Sequence, residues 1–166
     1  MKKMLILPAV LLMVSCGGND EVASGTFDDG EGNEGSYSLS GDDENAEVTI
    51  KSGDGEVKFT TGNKASEDLP MGVKLYPGAD VQTSIKGMGD GKSGAMVVFK
   101  SDDGQEKVLD FYKDQMKSLG IDIRTEIKTG DMKMIGGEQK DGQVFNVSVT
   151  KDPDGGVVTN LLIGGK

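Results

Sequence analysis

The side chains that most often do chemistry at neutral pH are nearly absent from this chain. It has no histidine and a single cysteine, Cys16. Without an imidazole there is no Ser-His-Asp triad or Cys-His pair, and the commonest zinc ligand and proton shuttle are missing. Carboxylates, thioethers and glycine-rich loops remain. Asp102-Asp103, or Asp152 with Asp154, could in principle share the acid–base work of glycoside hydrolysis. Adjacent aspartates ahead of a helix are better explained by the helix dipole, and aspartates bracketing Pro153 by turn formation. Met132 and Met134 could offer thioethers to a soft metal such as copper(I), but core packing explains them more simply. Tyr76, Phe111 and Tyr112 could line a ligand groove, although core and turn packing is the simpler expectation. No catalytic residue, metal or cofactor is assigned, and the chain is read as non-enzymatic.

Two loops imitate known ligand sites and fail on spacing. Asp28-Asp29-Gly30-Glu31-Gly32-Asn33-Glu34 has the look of a calcium loop. Counted from Asp29, however, the sixth position is Glu34 rather than glycine and the twelfth is Ser40 rather than glutamate. Gly87-Met88-Gly89-Asp90-Gly91-Lys92-Ser93-Gly94 is glycine-rich, but it lacks the spacing of a phosphate-binding loop and joins two expected strands, so it reads as a hairpin loop.

The position of the one cysteine is informative. Lys2 and Lys3 precede an eleven-residue apolar run from Met4 to Val14, interrupted by Pro8 and followed by Ser15-Cys16. A basic start and a short apolar stretch are the layout of a secretion signal, and the run falls short of the roughly 20 residues needed to span a bilayer core. Leu12-Met13-Val14-Ser15-Cys16 resembles the lipobox of bacterial lipoproteins. The resemblance implies diacylglycerol on the Cys16 sulfur, cleavage between Ser15 and Cys16, and palmitate-type acylation of the new terminus. Two or three acyl chains on one residue hold a protein to a bilayer where a single chain is marginal. Gly17 stands where aspartate favours inner-membrane retention in Gram-negative lipoproteins. The implied address is therefore the periplasmic face of the outer membrane.

Charge divides the rest. Net charge is −10, and removing Lys2 and Lys3 with the signal takes it to −12. Such a surface disfavours nucleic acid and anionic headgroups. Residues 17–47 hold ten acids, seven glycines and no Lys or Arg, whereas 48–166 hold 18 acids and 16 bases. This predicts a signal at 1–15, a lipid-anchored disordered acidic linker at 16–35, a small β-meander at 36–68 and an α+β domain at 69–166.

Asp-Gly pairs at 54–55, 90–91, 141–142 and 154–155 separate alternating or β-branched stretches, the hairpin signature. Strands are expected near 48–51 and 57–60, with Tyr37-Ser38-Leu39 ahead of them, then near 80–87, 94–100, 121–128, 131–138, 143–150 and 157–163. One helix is expected, with Asp103 as cap and Glu106 as its capping-box partner. Val108, Phe111, Tyr112, Gln115, Met116 and Leu119 share its inner face and Gly120 ends it. The fold class is read as α+β, an antiparallel sheet with one helix packed on it (β-β-α-β-β-β), preceded by the short meander and the disordered acidic tether. Leu75-Tyr76-Pro77-Gly78-Ala79, the strand ending Val97-Val98-Phe99, Phe111-Tyr112 and Leu119-Gly120-Ile121 together resemble a "YPGA"-type α+β domain of bacterial envelope lipoproteins, over about 69–163. That resemblance implies location and fold rather than a reaction. The expected function is a membrane-anchored envelope lipoprotein acting as a protein- or cell-wall-interaction module. The alternative is a small-molecule or metal-binding module using a groove beside the helix.

Overall fold

A computed structural model describes residues 21–28, 34–41, 45–62, 69–89 and 92–165. The expected signal 1–15, Cys16 and the central residues of the calcium-like loop lie outside them. The strands are β1 (Glu21–Asp28), β2 (Glu34–Gly41), β3 (Ala46–Ser52), β4 (Gly55–Thr61), β5 (Asp80–Gly89), β6 (Lys92–Ser101), β7 (Asp122–Thr129), β8 (Met132–Glu138), β9 (Val144–Lys151) and β10 (Val157–Gly165). The helix α1 spans Gln105–Ser118.

All ten strands form one sheet in the order β1-β2-β3-β4-β5-β6-β10-β9-β8-β7. Every neighbouring pair is antiparallel. The chain adds strands outward from β1 to β6, crosses over through α1 to the far edge at β7, and returns strand by strand until β10 closes the gap beside β6.

The side chains alternate across this sheet, and the helix-side face carries the core. Ala95, Val97 and Phe99 of β6, Leu161 and Ile163 of β10, Phe145, Val147 and Val149 of β9, and Ile135 of β8 are all buried. On them α1 lays Val108, Leu109, Tyr112 and Met116, also buried. Tyr112 stands edge-on to Phe145 with ring centroids 5.8 Å apart and to Phe111 at 5.1 Å, geometry that adds to area burial. Gln105 anchors the first turn: its Nε2 donates to the carbonyls of Asp131 (2.6 Å) and Val149 (2.9 Å). Gly120 at φ +69 ends the helix in the left-handed conformation.

The helix covers β7 to β9, and the segment 69–79 covers β6 and β10. This segment is tied to α1 by a two-way amide contact. Gln115 Nε2 donates to the Lys74 carbonyl and Gln115 Oε1 accepts the Lys74 N–H, both at 2.8 Å. The Tyr76-Pro77-Gly78-Ala79 turn closes with the Ala79 N–H on the Tyr76 carbonyl (3.0 Å), and Gly78 takes φ +78, as a type II turn requires.

The expected fold class is corrected in three respects. The meander is not a separate unit but four strands of the same ten-strand sheet, joined to the rest through β4 and β5. Four strands rather than three follow the helix. Residues 21–28 and 34–35, read as disordered tether, lie in β1 and β2. Net composition hid an alternation: Ala23, Gly25 and Phe27 share one face while Ser24, Thr26 and Asp28 share the other, and pairing satisfies the backbone without a large core. The capping box is corrected as well. Gly104 occupies the N-cap with no side-chain hydrogen bond, Asp103 instead accepts from Tyr76 Oη (2.5 Å) and Lys107 Nζ (2.8 Å), and Glu106 pairs with Lys133.

Candidate functional site

The sheet is thinnest along a row of glycines. Gly87 of β5 faces Gly94 of β6, which faces Gly164 of β10. Val57 and Val144 stand at the two ends of the row. Three side-chain-free positions in register leave backbone alone between the two faces. The row is built for close approach: a Cβ on Gly164, whose φ is +150, would stand 2.8 Å from the Gly94 Cα. Gly87 and Gly94 were expected in a hairpin loop, but the strands extend to Gly89 and from Lys92, so both sit inside strands.

A hollow lies on each side of this row. On the helix side a cavity of about 320 Å³ is lined by Glu56, Lys58, Pro70, Lys86, Ser93 and the two glycines. Its wall toward the core is the 3-10 turn Pro70–Gly72, where Met71 takes φ 63 and Gly72 φ 71. A left-handed methionine is a strained residue held in place by its surroundings, and Met71 packs against the core. Lys58 and Lys86 are register partners on β4 and β5, which sets two ammonium groups on one wall. Lys58 is paired with Glu47 at 2.9 Å and Glu56 with Lys51 at 3.1 Å. On the outer side a shallower depression of about 500 Å³ is lined by Ile85, Met96, Val144 and Leu162 with the same glycines.

The groove expected beside the helix is filled by the chain itself. Tyr76 and Tyr112 are buried, the Tyr76 N–H donates to Tyr112 Oη at 3.1 Å, and Tyr76 meets Phe111 edge-on at 5.2 Å. Burial pushes the Tyr112 phenol well above the ordinary tyrosine range. The open cavity lies instead on the far side of Pro70.

The carboxylates do not converge on either hollow. Asp103 is held below its ordinary value by the Lys107 ammonium and then by the Tyr76 hydroxyl. Asp152 is held low by Lys100, 2.7 Å away, and by the Asp154 backbone N–H at 3.1 Å. Both are structural ion pairs at turns. Met132 and Met134 are half-buried on β8. Among the described residues no group of three His, Cys, Asp or Glu is placed to hold a metal, and no helix is long and apolar enough to cross a membrane.

A family model described as START domain-like matches residues 81–155. The match runs from β5 to the β9–β10 turn. It takes in Lys86, Gly87, Ser93, Gly94 and the whole of α1, while Glu56, Lys58 and Pro70 lie outside it. Neither the curated proteins nor the solved structures contain a match to this chain.

Proposed function

We propose that this chain is a lipid-anchored binding module of the bacterial envelope, fixed through Cys16 and holding a small amphipathic molecule in the cavity beside Pro70. The observation that carries the reading is that cavity: about 320 Å³, at the lower end of the range typical of small-molecule sites. Its lining pairs apolar stems and bare backbone with two lysines in register. Two ammonium groups on one wall make that wall attractive to an anionic headgroup, even with Lys58 already paired to Glu47. A ligand with an anionic head and a short hydrocarbon body fits both parts of the lining. START-like domains are typically binding modules, which supports the class of function. The lipobox resemblance supports the anchor, and the outer membrane's periplasmic face follows from Gly17 in the same way. Envelope proteins and cell-wall components remain the macromolecular partners to which such a location would expose it.

The test is thermal unfolding of the full chain with dodecanoate, with dodecyltrimethylammonium as the control of opposite charge. A ligand specific for the folded state raises the unfolding temperature, by about 2.7 kcal/mol of apparent stability at a hundredfold excess over Kd. Dodecanoate should stabilise the wild-type chain, and Ser93→Phe, which fills the cavity from its wall, should abolish the shift. An equal shift in Ser93→Phe, or none in the wild type, would remove the cavity reading. Mass spectrometry of the mature N-terminus tests the anchor separately.

A further inference from the structure

The outward face of the N-terminal half of the sheet is apolar, and none of the described residues packs over it. Alternation and register place Phe27 of β1, Tyr37 and Leu39 of β2, Val48 and Ile50 of β3, and Val57 and Phe59 of β4 on the side opposite α1. Ile85, Met96 and Leu162 continue it across β5, β6 and β10. Ile50 is 43% exposed, Val57 47%, Phe59 37% and Leu162 51%. Among the described side chains of β1 to β4 this face carries no charge. The charges Asp28, Glu34, Glu47, Lys51, Glu56 and Lys58 of those strands stand in register on the helix side. The usual arrangement of a one-sided sheet, apolar toward the core and polar toward water, is therefore reversed in this half. Contiguous exposed apolar surface of this kind marks an interaction site.

We infer that this face lies flat on the lipid bilayer, with Phe27, Tyr37 and Phe59 at the headgroup level and Ile50 and Val57 against the acyl chains. The inference rests on the lipid-anchor reading for its geometry. Four residues separate Cys16 from the first residue of β1, and the five extended steps from Cys16 to Glu21 reach at most about 18 Å. An acylated Cys16 thus holds the edge strand β1 within that distance of the membrane surface, and the adjoining face is the one without charges. Aromatic side chains at such an interface place their rings at the headgroup boundary. A mature chain of net charge −12, the full chain's −10 less Lys2 and Lys3, gains nothing from anionic headgroups, so the surface it fits is zwitterionic. With the outer face on the bilayer, the cavity beside Pro70 opens on the opposite side of the glycine row.

The chain has no tryptophan, so single tryptophans report without background. The mature chain is reconstituted in phosphatidylcholine vesicles carrying brominated acyl chains, with Phe59→Trp or Val57→Trp on the outer face and Thr49→Trp on the helix-side face. The expected result is a shorter-wavelength emission and at least about twofold stronger quenching for the two outer-face probes. Adding Ile50→Glu to Phe59→Trp should abolish the difference. Two outer-face probes guard against one that perturbs folding. Equal quenching of all three in a chain carrying the lipid overturns the docking and leaves the anchor intact. Face-specific quenching in a chain shown by mass spectrometry to lack acyl groups supports the docking and removes the anchor. A concentration-dependent dimer by sedimentation, dissociated by Val57→Glu, with no vesicle quenching, would assign the face to a second copy and overturn the inference.

Discussion

The backbone N–H of Tyr76 donates to the hydroxyl of Tyr112 at 3.1 Å, across a buried contact between the segment 69–79 and α1. The bond joins the turn that precedes the sheet's central strands to the middle of the helix. Tyr112→Phe keeps the edge-on ring contacts with Phe111 and Phe145 but leaves a buried N–H without a partner. The expected loss is about 1–3 kcal/mol, read as a lower urea midpoint at unchanged slope. A variant as stable as the wild type would mean that water or a shifted turn satisfies that N–H.

The glycine row predicts opposite signs for one kind of substitution. Gly164→Ala places a Cβ 2.8 Å from the Gly94 Cα at φ +150, so it should destabilise by roughly 1–3 kcal/mol. Gly87→Ala meets only Val57 Cγ2, at 4.0 Å. It should be neutral or stabilising by about 0.4–1 kcal/mol through the unfolded chain. Thermal melts of the two variants side by side decide the matter, and a Gly164→Ala protein as stable as wild type would show that the row has room the register does not suggest.

Much of the local architecture was legible because local chemistry sets it. Each of the four Asp-Gly pairs falls at or beside a connection between paired strands, and Val108, Tyr112 and Met116 do face the core from α1. What escaped depends on pairing between distant residues. Gly87 and Gly94 read as the ends of a hairpin loop and Gly164 lies just past the last expected strand; only the β5–β6–β10 register makes them one row. The alternation of Val48, Ile50, Val57 and Phe59 was visible, but whether that face turned toward the helix or away from it was not. The acidic composition around β1 concealed Ala23, Gly25 and Phe27. The candidate cavity had a partial signal in Pro70-Met71-Gly72 next to a glycine-rich hairpin, and none in Lys58 and Lys86, which meet only through strand pairing.

Acid should unfold the chain through its paired carboxylates. The Lys100 ammonium holds the Asp152 carboxyl below its ordinary 3.8, and Lys133 holds Glu106 below 4.5. A group whose folded pKa is depressed stabilises the fold above its unfolded pKa and loses that contribution as pH falls through the folded one. Stability should therefore stay level from neutral pH down to the ordinary carboxylate values and fall below them. With no histidine in the chain, no imidazole contributes a step between pH 5 and 8. Asp152→Asn should flatten the acid limb, as measured by urea midpoints across pH 2–7. A wild-type midpoint that drops near pH 6 would contradict this account.

Gln105 offers a sharper test with the opposite sign. Its carboxamide is buried and donates to two carbonyl oxygens, Asp131 O and Val149 O, which fix the first turn of α1 to β9 and the β7–β8 turn. Gln105→Glu keeps the shape and replaces the donor with an acceptor. At pH 7 an ionised carboxylate would face two carbonyls with no proton between them, a loss of about 3 kcal/mol or more. Burial and the acceptors raise the folded pKa of the new glutamate above its unfolded value, so protonation restores the donor. The stability of Gln105→Glu should therefore rise as pH falls from 7 toward 5, over a range in which the wild-type chain stays level. Parallel pH-dependent melts of the two proteins measure this directly, and a variant whose stability did not climb on acidification would show that the Gln105 amide is not the donor holding the helix to the sheet.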